Sequence, residues 1–150
     1  MKSILYFILL FSISTLHAQS EAENVKNTID SFFESFHAQD SLAMKEFVST
    51  NVIIQSIGED QQGETLVHKT SFSKFLKGIV SIPKDASFKE ELLDYQISID
   101  GNMANAWTPY KFYFKDNFSH CGVNSFQLVK IDGKWQIIYI IDTRRKEGCN

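Results

Sequence analysis

Three short runs, Asp100-Gly101-Asn102, Lys115-Asp116-Asn117 and Asp132-Gly133, punctuate residues 88–143, whose intervening segments are rich in β-branched and aromatic side chains. Such residues tolerate the positive φ that tight hairpin turns require, so the region is expected to form four antiparallel strands in an up-and-down meander. Every segment with helical periodicity lies before it. A lone sheet with apolar residues on its faces needs those helices as a lid, which sets the class as α+β.

Residues 21–38 carry Val25, Ile29, Phe32, Phe33 and Phe36 among polar and charged neighbours, the stripe of one amphipathic helix. Asp40 or Ser41 can cap a short second helix that buries Leu42, Phe47 and Val48. Residues 52–57 are short and β-branched and predict a strand, residues 58–64 a hairpin loop and residues 65–68 its partner. Thr70 or Ser71 opens a third helix with Phe72, Phe75, Leu76 and Ile79 on one side, and Pro83 leads into the meander.

The chain opens with Lys2, an apolar run over residues 4–11 and the small-residue ending Leu16-His17-Ala18. This pattern predicts a signal peptide over residues 1–18, with the mature chain starting near Gln19 and residues 19–150 forming one domain. The run is too short to span a bilayer, so a secreted or periplasmic location with no membrane association after cleavage is expected, with an uncleaved anchor as the alternative. Removing the leader shifts the formal charge from −3 to −4, because Lys2 goes and no acidic residue does. Nucleic acid is thereby disfavoured as a partner, since the densest basic cluster is only Arg144-Arg145-Lys146. In an oxidising compartment Cys121 and Cys149 either form a disulfide, worth roughly 3–4 kcal/mol if unstrained, or remain separate thiols. The sequence leaves both open.

Two-residue hairpin loops pair residues of opposite parity across each turn. Applied to all three turns, that rule collects Asp94, Trp107, His120, Asn124, Phe126, Leu128, Trp135, Ile137 and Tyr139 on one face. It places Tyr95, Ile97, Ile99, Ala104, Ala106, Tyr110, Phe112, Cys121 and Ile140 on the other. The helices can cover one apolar face only, so a homodimer through the sheet is expected to cover the second. The plainer alternative is that bulges break the parity and the exposed aromatics are scattered. The first face grades from the apolar Leu128, Trp135 and Ile137 toward the polar Asp94, His120 and Asn124, as a binding pocket does.

Over residues 22–143 the chain resembles the nuclear transport factor 2-like superfamily, which includes SnoaL-like polyketide cyclases and ketosteroid isomerases. The resemblance rests on the long first helix, the helix-rich first half and the closing run Phe126-Gln127-Leu128-Val129-Lys130-Ile131-Asp132-Gly133-Lys134-Trp135-Gln136-Ile137. It implies a cone-shaped, cystatin-like α+β fold, a cavity between the helices and the concave sheet, and dimerisation through the sheet. A ketosteroid isomerase-like site needs a tyrosine donor, whereas the corresponding part of this first helix offers Phe32, Phe33 and Phe36. That chemistry is therefore not carried over.

Asp94 and His120 are the candidates for acid–base work, because a histidine near a carboxylate in a partly dry cavity can be poised near neutral pH. The plainer reading leaves Asp94 solvated and His120 hydrogen-bonded at a strand end. Trp107, His120, Asn124, Phe126 and Tyr139 are the expected ligand contacts. His37 reads as a helix-end residue. No paired Cys or His spacing suggests a metal, no Gly-x-Ser-x-Gly elbow is present, and no glycine loop cradles a phosphate or other cofactor. The expectation is an exported protein that binds a small, partly apolar molecule without a cofactor. The alternatives are an isomerase, cyclase or dehydratase using an Asp or His base, and a non-catalytic interaction module.

Overall fold

The computed structural model describes the backbone of residues 2–149 and the side chains of residues 20–149; the leader expected over residues 1–18 has its side chains outside the described residues. The elements run α1 (Lys2–His37), a 3-10 turn (Ala43–Phe47), β1 (Val48–Glu59), β2 (Thr65–Thr70), α2 (Phe72–Val80), β3 (Phe88–Leu92), β4 (Gln96–Asp100), β5 (Met103–Phe114), β6 (Asn117–Ile131) and β7 (Lys134–Thr143). One seven-stranded sheet has the order β2-β1-β7-β6-β5-β3, with β4 also pairing β5. Among the described residues the only parallel pair is β1 with β7. No helix among the described residues is long and apolar enough to cross a membrane.

The α1 stripe is buried as expected, with Val25, Ile29, Phe32, Phe33 and Phe36 packed against Phe126, Leu128, Trp135, Ile137 and Ile140. The small Ala104 and Ala106 belong to the same core, and Phe33 meets Phe126 edge to face with ring centres 6.2 Å apart. Glu21 anchors α1 to the β6–β7 hairpin by accepting from Lys130 Nζ at 2.8 Å and from Trp135 Nε1 at 2.9 Å. Gln39 ends α1 in a left-handed conformation (φ 56°). Its side-chain amide donates to the carbonyls of Ile79 and Ile82, each at 2.8 Å, and so ties the end of α2 to the end of α1.

Several local expectations change. Asp40 Oδ1 does accept from the Leu42 and Ala43 amides, each at 3.0 Å, but the turn it starts is a 3-10 turn. That tighter geometry exposes Leu42 (73%), buries Met44 instead, and gives Val48 to β1. Ser71 caps α2, accepting from the Lys74 amide. The first meander strand splits into β3 and β4, which pair with opposite ends of β5.

The face assignment also changes, because only the β4–β5 pairing keeps turn-set parity throughout. Between β5 and β6, Phe112 pairs with His120 but Tyr113 with Phe118, leaving Ser119 as an extra residue. Between β6 and β7, Gln127 pairs with Tyr139 but Leu128 with Ile137, leaving Ile138 extra. Each bulge reverses the parity beyond it. The core face therefore combines Ala104, Ala106, Tyr110 and Phe112 with Phe126, Leu128, Ile137 and Ile140.

At the end of β7 the backbone kinks. The Thr143 carbonyl swings over Gly122 and accepts from the Tyr110 hydroxyl at 3.0 Å. Beyond the kink, Arg145 and Cys121 exchange two backbone hydrogen bonds of 2.9 Å, and Cys121 is disulfide-bonded to Cys149 with Cα atoms 5.7 Å apart. Gly122 is required at the kink, since a Cβ there would stand 1.8 Å from the Thr143 oxygen and 2.8 Å from Tyr110 Cε1. Gly122→Ala is expected to destabilise the protein by about 3 kcal/mol, as overpacking against backbone does, measured by chemical denaturation. A change within ~0.5 kcal/mol would show that the kink yields freely.

Candidate functional site

A cavity of about 260 Å³ lies between α1, α2 and the core face of the sheet. Its walls are mostly aromatic: Phe32, Phe33 and Phe36 come from α1, Phe75 from α2, and Phe112 and Phe126 from β5 and β6. The rings are interlocked, with Phe36 stacked on Phe75 at 6.0 Å and edge-on to Phe88 at 5.1 Å. The ionisable groups Glu90, His120, Asp142 and Arg144 gather with Asn124 at one end of the cavity, and Gln55, Ser56 and Thr70 of β1 and β2 add uncharged polar groups to the lining, Ser56 beside Asp142.

Glu90 reaches this end because β3 alternates Phe88, Glu90 and Leu92 toward the core face, opposite Phe114, Phe112 and Tyr110. Its Oε1 accepts from Asn124 Nδ2 at 2.7 Å, and its backbone amide donates to His37 Nε2 at 2.9 Å. Burial pushes the Glu90 carboxyl up to about 7; the Asp142 charge adds to the shift, while the Asn124 hydrogen bond and Arg144 oppose it. His37 is held below the ordinary histidine range, first by burial and then by Lys89. It is thus a neutral acceptor that fixes the strand carrying Glu90.

His120 is likewise lowered, mainly by burial and then by Arg144. Its ring stacks on Phe112 at 4.9 Å, and its Nδ1 lies 3.0 Å from Ser119 Oγ. The Asp142 carboxylate accepts from Arg144 Nε at 2.9 Å and from the Tyr110 hydroxyl at 3.3 Å. Burial, followed by the Asp142 charge, raises Tyr110 well above the usual phenol range, so it keeps its one proton, which is shared between Asp142 Oδ2 and the Thr143 carbonyl. Among the described residues no group of three or more His, Cys, Asp and Glu side chains is placed to hold a metal ion.

Comparison with solved structures settles what this architecture is. The fold is nuclear transport factor 2-like. A nuclear transport factor 2-like protein of unknown function from Shewanella baltica superimposes with a TM-score of 0.62 at 17% identity, covering 85% of this chain and 96% of that one. A nuclear transport factor 2-like protein with a cystatin-like fold from Novosphingobium aromaticivorans gives a TM-score of 0.69 at 11% identity, covering 91% and 88%. A member of the same family from Streptomyces avermitilis, provisionally assigned as a dehydratase, gives 0.65 at 11% identity, covering 85% and 98%. At such identities the likeness is one of fold. No protein-family model and no curated protein matches the sequence.

Within this nuclear transport factor 2-like cone, His120, Asn124 and Phe126 line the cavity. Trp107 and Tyr139 do not: each stands on the outer face, moved there relative to Phe126 by the bulges at Ser119 and Ile138. Trp107 is 49% exposed, and the Tyr139 hydroxyl donates to Gln55 instead. Asp94 is exposed in the bend between β3 and β4 and takes no part in the cavity. Its place as the cavity carboxylate is taken by Glu90, which was legible as the one acidic residue alternating with Phe88 and Leu92 on an apolar strand face. Asp142 and Arg144 carried no such signal, because the Ile138 bulge decides the face they share with Ile140.

The Glu90 carboxyl holds its proton to about pH 7 when folded, against 4.5 for the free group. A carboxyl raised on folding binds more protons in the folded state, so it costs stability as pH rises through that window. Glu90→Gln, which keeps the acceptor for Asn124, is expected to exceed the parent protein in stability by about 2–3 kcal/mol at pH 8, with the gap shrinking below ~1 kcal/mol by pH 5. Denaturation curves at both pH values measure it, and a pH-independent gap would mean that Glu90 is ionised throughout.

Proposed function

We propose that this is an exported, homodimeric protein that binds a small, partly apolar molecule in the cavity beneath α1 and α2. The observation that carries this reading is a cavity whose walls are largely aromatic and whose ionisable groups, Glu90, His120, Asp142 and Arg144, are gathered together, the arrangement that orients a small ligand. The leader pattern before Gln19 and the Cys121–Cys149 disulfide support export. The outer sheet face supports the dimer, since Met103, Trp107, Phe118 and Ile138 are exposed there. Native mass spectrometry of protein recovered from outside the cell tests all three. The expected result is a dimer of chains starting near Gln19 that carries a small adduct. A monomer would overturn the dimer. Absence of any adduct, together with no thermal shift across a panel of apolar metabolites, would overturn the binding reading.

A second reading, proton-transfer catalysis of the isomerase, cyclase or dehydratase kind, is favoured by one observation: a carboxyl poised near neutral pH inside the cavity. Glu90 replaces Asp94 as the carboxylate in that role. Turnover of a cavity ligand should fall at least ~100-fold in Glu90→Gln, in the range that general acid–base groups contribute. Turnover unaltered by that substitution would exclude it.

A further inference from the structure

Arg144 is the cavity group whose bonding is left incomplete. Its Nε is committed to Asp142 Oδ2, and Asp142 is held from the other side by the Tyr110 hydroxyl, so the guanidinium is oriented from behind. The two terminal nitrogens have no hydrogen-bond partner among the described residues, and the side chain both lines the cavity and reaches solvent. A planar guanidinium with its terminal edge free presents two parallel N–H groups, the fork that matches the two oxygens of a carboxylate.

The surroundings of that edge are suited to an anion. Asp142 is neutralised by Arg144 itself. Glu90, on the same polar end, is protonated at mildly acidic pH and can donate to an oxygen rather than repel it. Beyond the charged end the wall is apolar except for Gln55, Ser56 and Thr70, which carry no charge, in a volume of about 260 Å³. That is below the range of roughly 300–1,000 Å³ typical of drug-sized ligands, so the apolar body must be compact, of the size of one ring.

We propose that the ligand class of this cavity is a small monocarboxylate with a single-ring or similarly compact apolar body, and that Arg144 is the residue that recognises its charge. The proposal rests on the binding reading above and adds the chemical identity of the ligand's head group. Asp142 and Tyr110 are positioning residues, holding the fork toward the cavity. Glu90 gives the site its pH dependence. The other charged or titratable groups around it are Asp142 and Arg144 from the end of β7 and beyond, His120 from β6, Tyr110 from β5 and, behind its own amide, His37 from α1 with Lys89 beside it. His37 and His120 are both held below the ordinary histidine range, which leaves Glu90 to titrate near pH 7.

Matched acid and amide pairs test this by calorimetry on the full mature protein: benzoate with benzamide, 3-phenylpropionate with its amide, and cyclohexanecarboxylate with its amide. At pH 6 at least one acid should bind ten times or more tighter than its amide. The preference should decline as pH rises through 7, and Arg144→Gln should abolish it, so that each acid binds no tighter than its amide. Arg144→Lys, which keeps the charge and loses the fork, should recover part of it. Acids and amides binding equally, or a preference that survives in Arg144→Gln, would overturn the proposal and leave the binding reading standing. If neither acids, amides nor other apolar compounds bind, the binding reading itself fails.

Discussion

The register between β5 and β6 is the constraint on which the rest of this structure depends. One extra residue, Ser119, lies between the residues that pair with Phe112 and Tyr113, and beyond it every side chain of β5 changes face relative to β6. Because side chains alternate with a period of two, the shift is all or nothing. It brings Ala104 and Ala106 to the side of Phe126 and Leu128, where their small size leaves room for the phenylalanines of α1. It also brings Phe112 alongside His120, which completes the aromatic wall at the polar end. Without the bulge, the pairing that starts at Phe114 and Asn117 would set Asn105 opposite Phe126 in place of Ala106, and Trp107 opposite Asn124 in place of Thr108.

This also explains what the sequence disclosed and what it withheld. The α1 stripe, the α2 stripe and the three turns are local signals, each set by residues within one or two turns of chain, and each reappears in the fold at or near its expected place. Face assignment is non-local, because it adds the parities of successive hairpins and inherits every bulge. His120, Asn124 and Phe126 share one strand, so their grouping survives the errors. Trp107 and Tyr139 sit on other strands, across one bulge each from Phe126, and were lost to the outer face. Glu90 was readable from strand alternation alone, but Asp94, four residues on, has the same chemistry and in one unbroken strand would share its face. What separates them is that β3 and β4 are two strands, which no residue pattern over 88–100 announces.

The buried polar cluster is expensive for the fold and informative for that reason. Glu90 shifts toward its neutral form because burial penalises the charge, and a single hydrogen bond from Asn124 only partly offsets this. A leucine at that position would extend the apolar wall at no such cost. The carboxyl is held in place by a dedicated acceptor, since His37, at the end of α1, accepts the amide proton of Glu90 itself. Two elements far apart in sequence thus cooperate to hold a destabilising group at one point of the cavity, as sites specialised for binding or proton transfer do.

The Asp142–Arg144 pair follows the same logic at the cavity mouth. The Arg144 side chain is more than half exposed, and an ion pair in that setting contributes little to stability. Its effect is geometric. Asp142 and the Thr143 carbonyl share the single hydroxyl proton of Tyr110, and the missing side chain of Gly122 leaves space for the kink beside them. On the far side, Arg145 pairs with Cys121, and the disulfide to Cys149 closes the end of the chain against β6. Arg144 is therefore held between two anchored residues in a segment that would otherwise fray as chain ends do. A tail this firmly tied brings one side chain to the cavity, and among the described residues it carries the only fixed positive charge lining it.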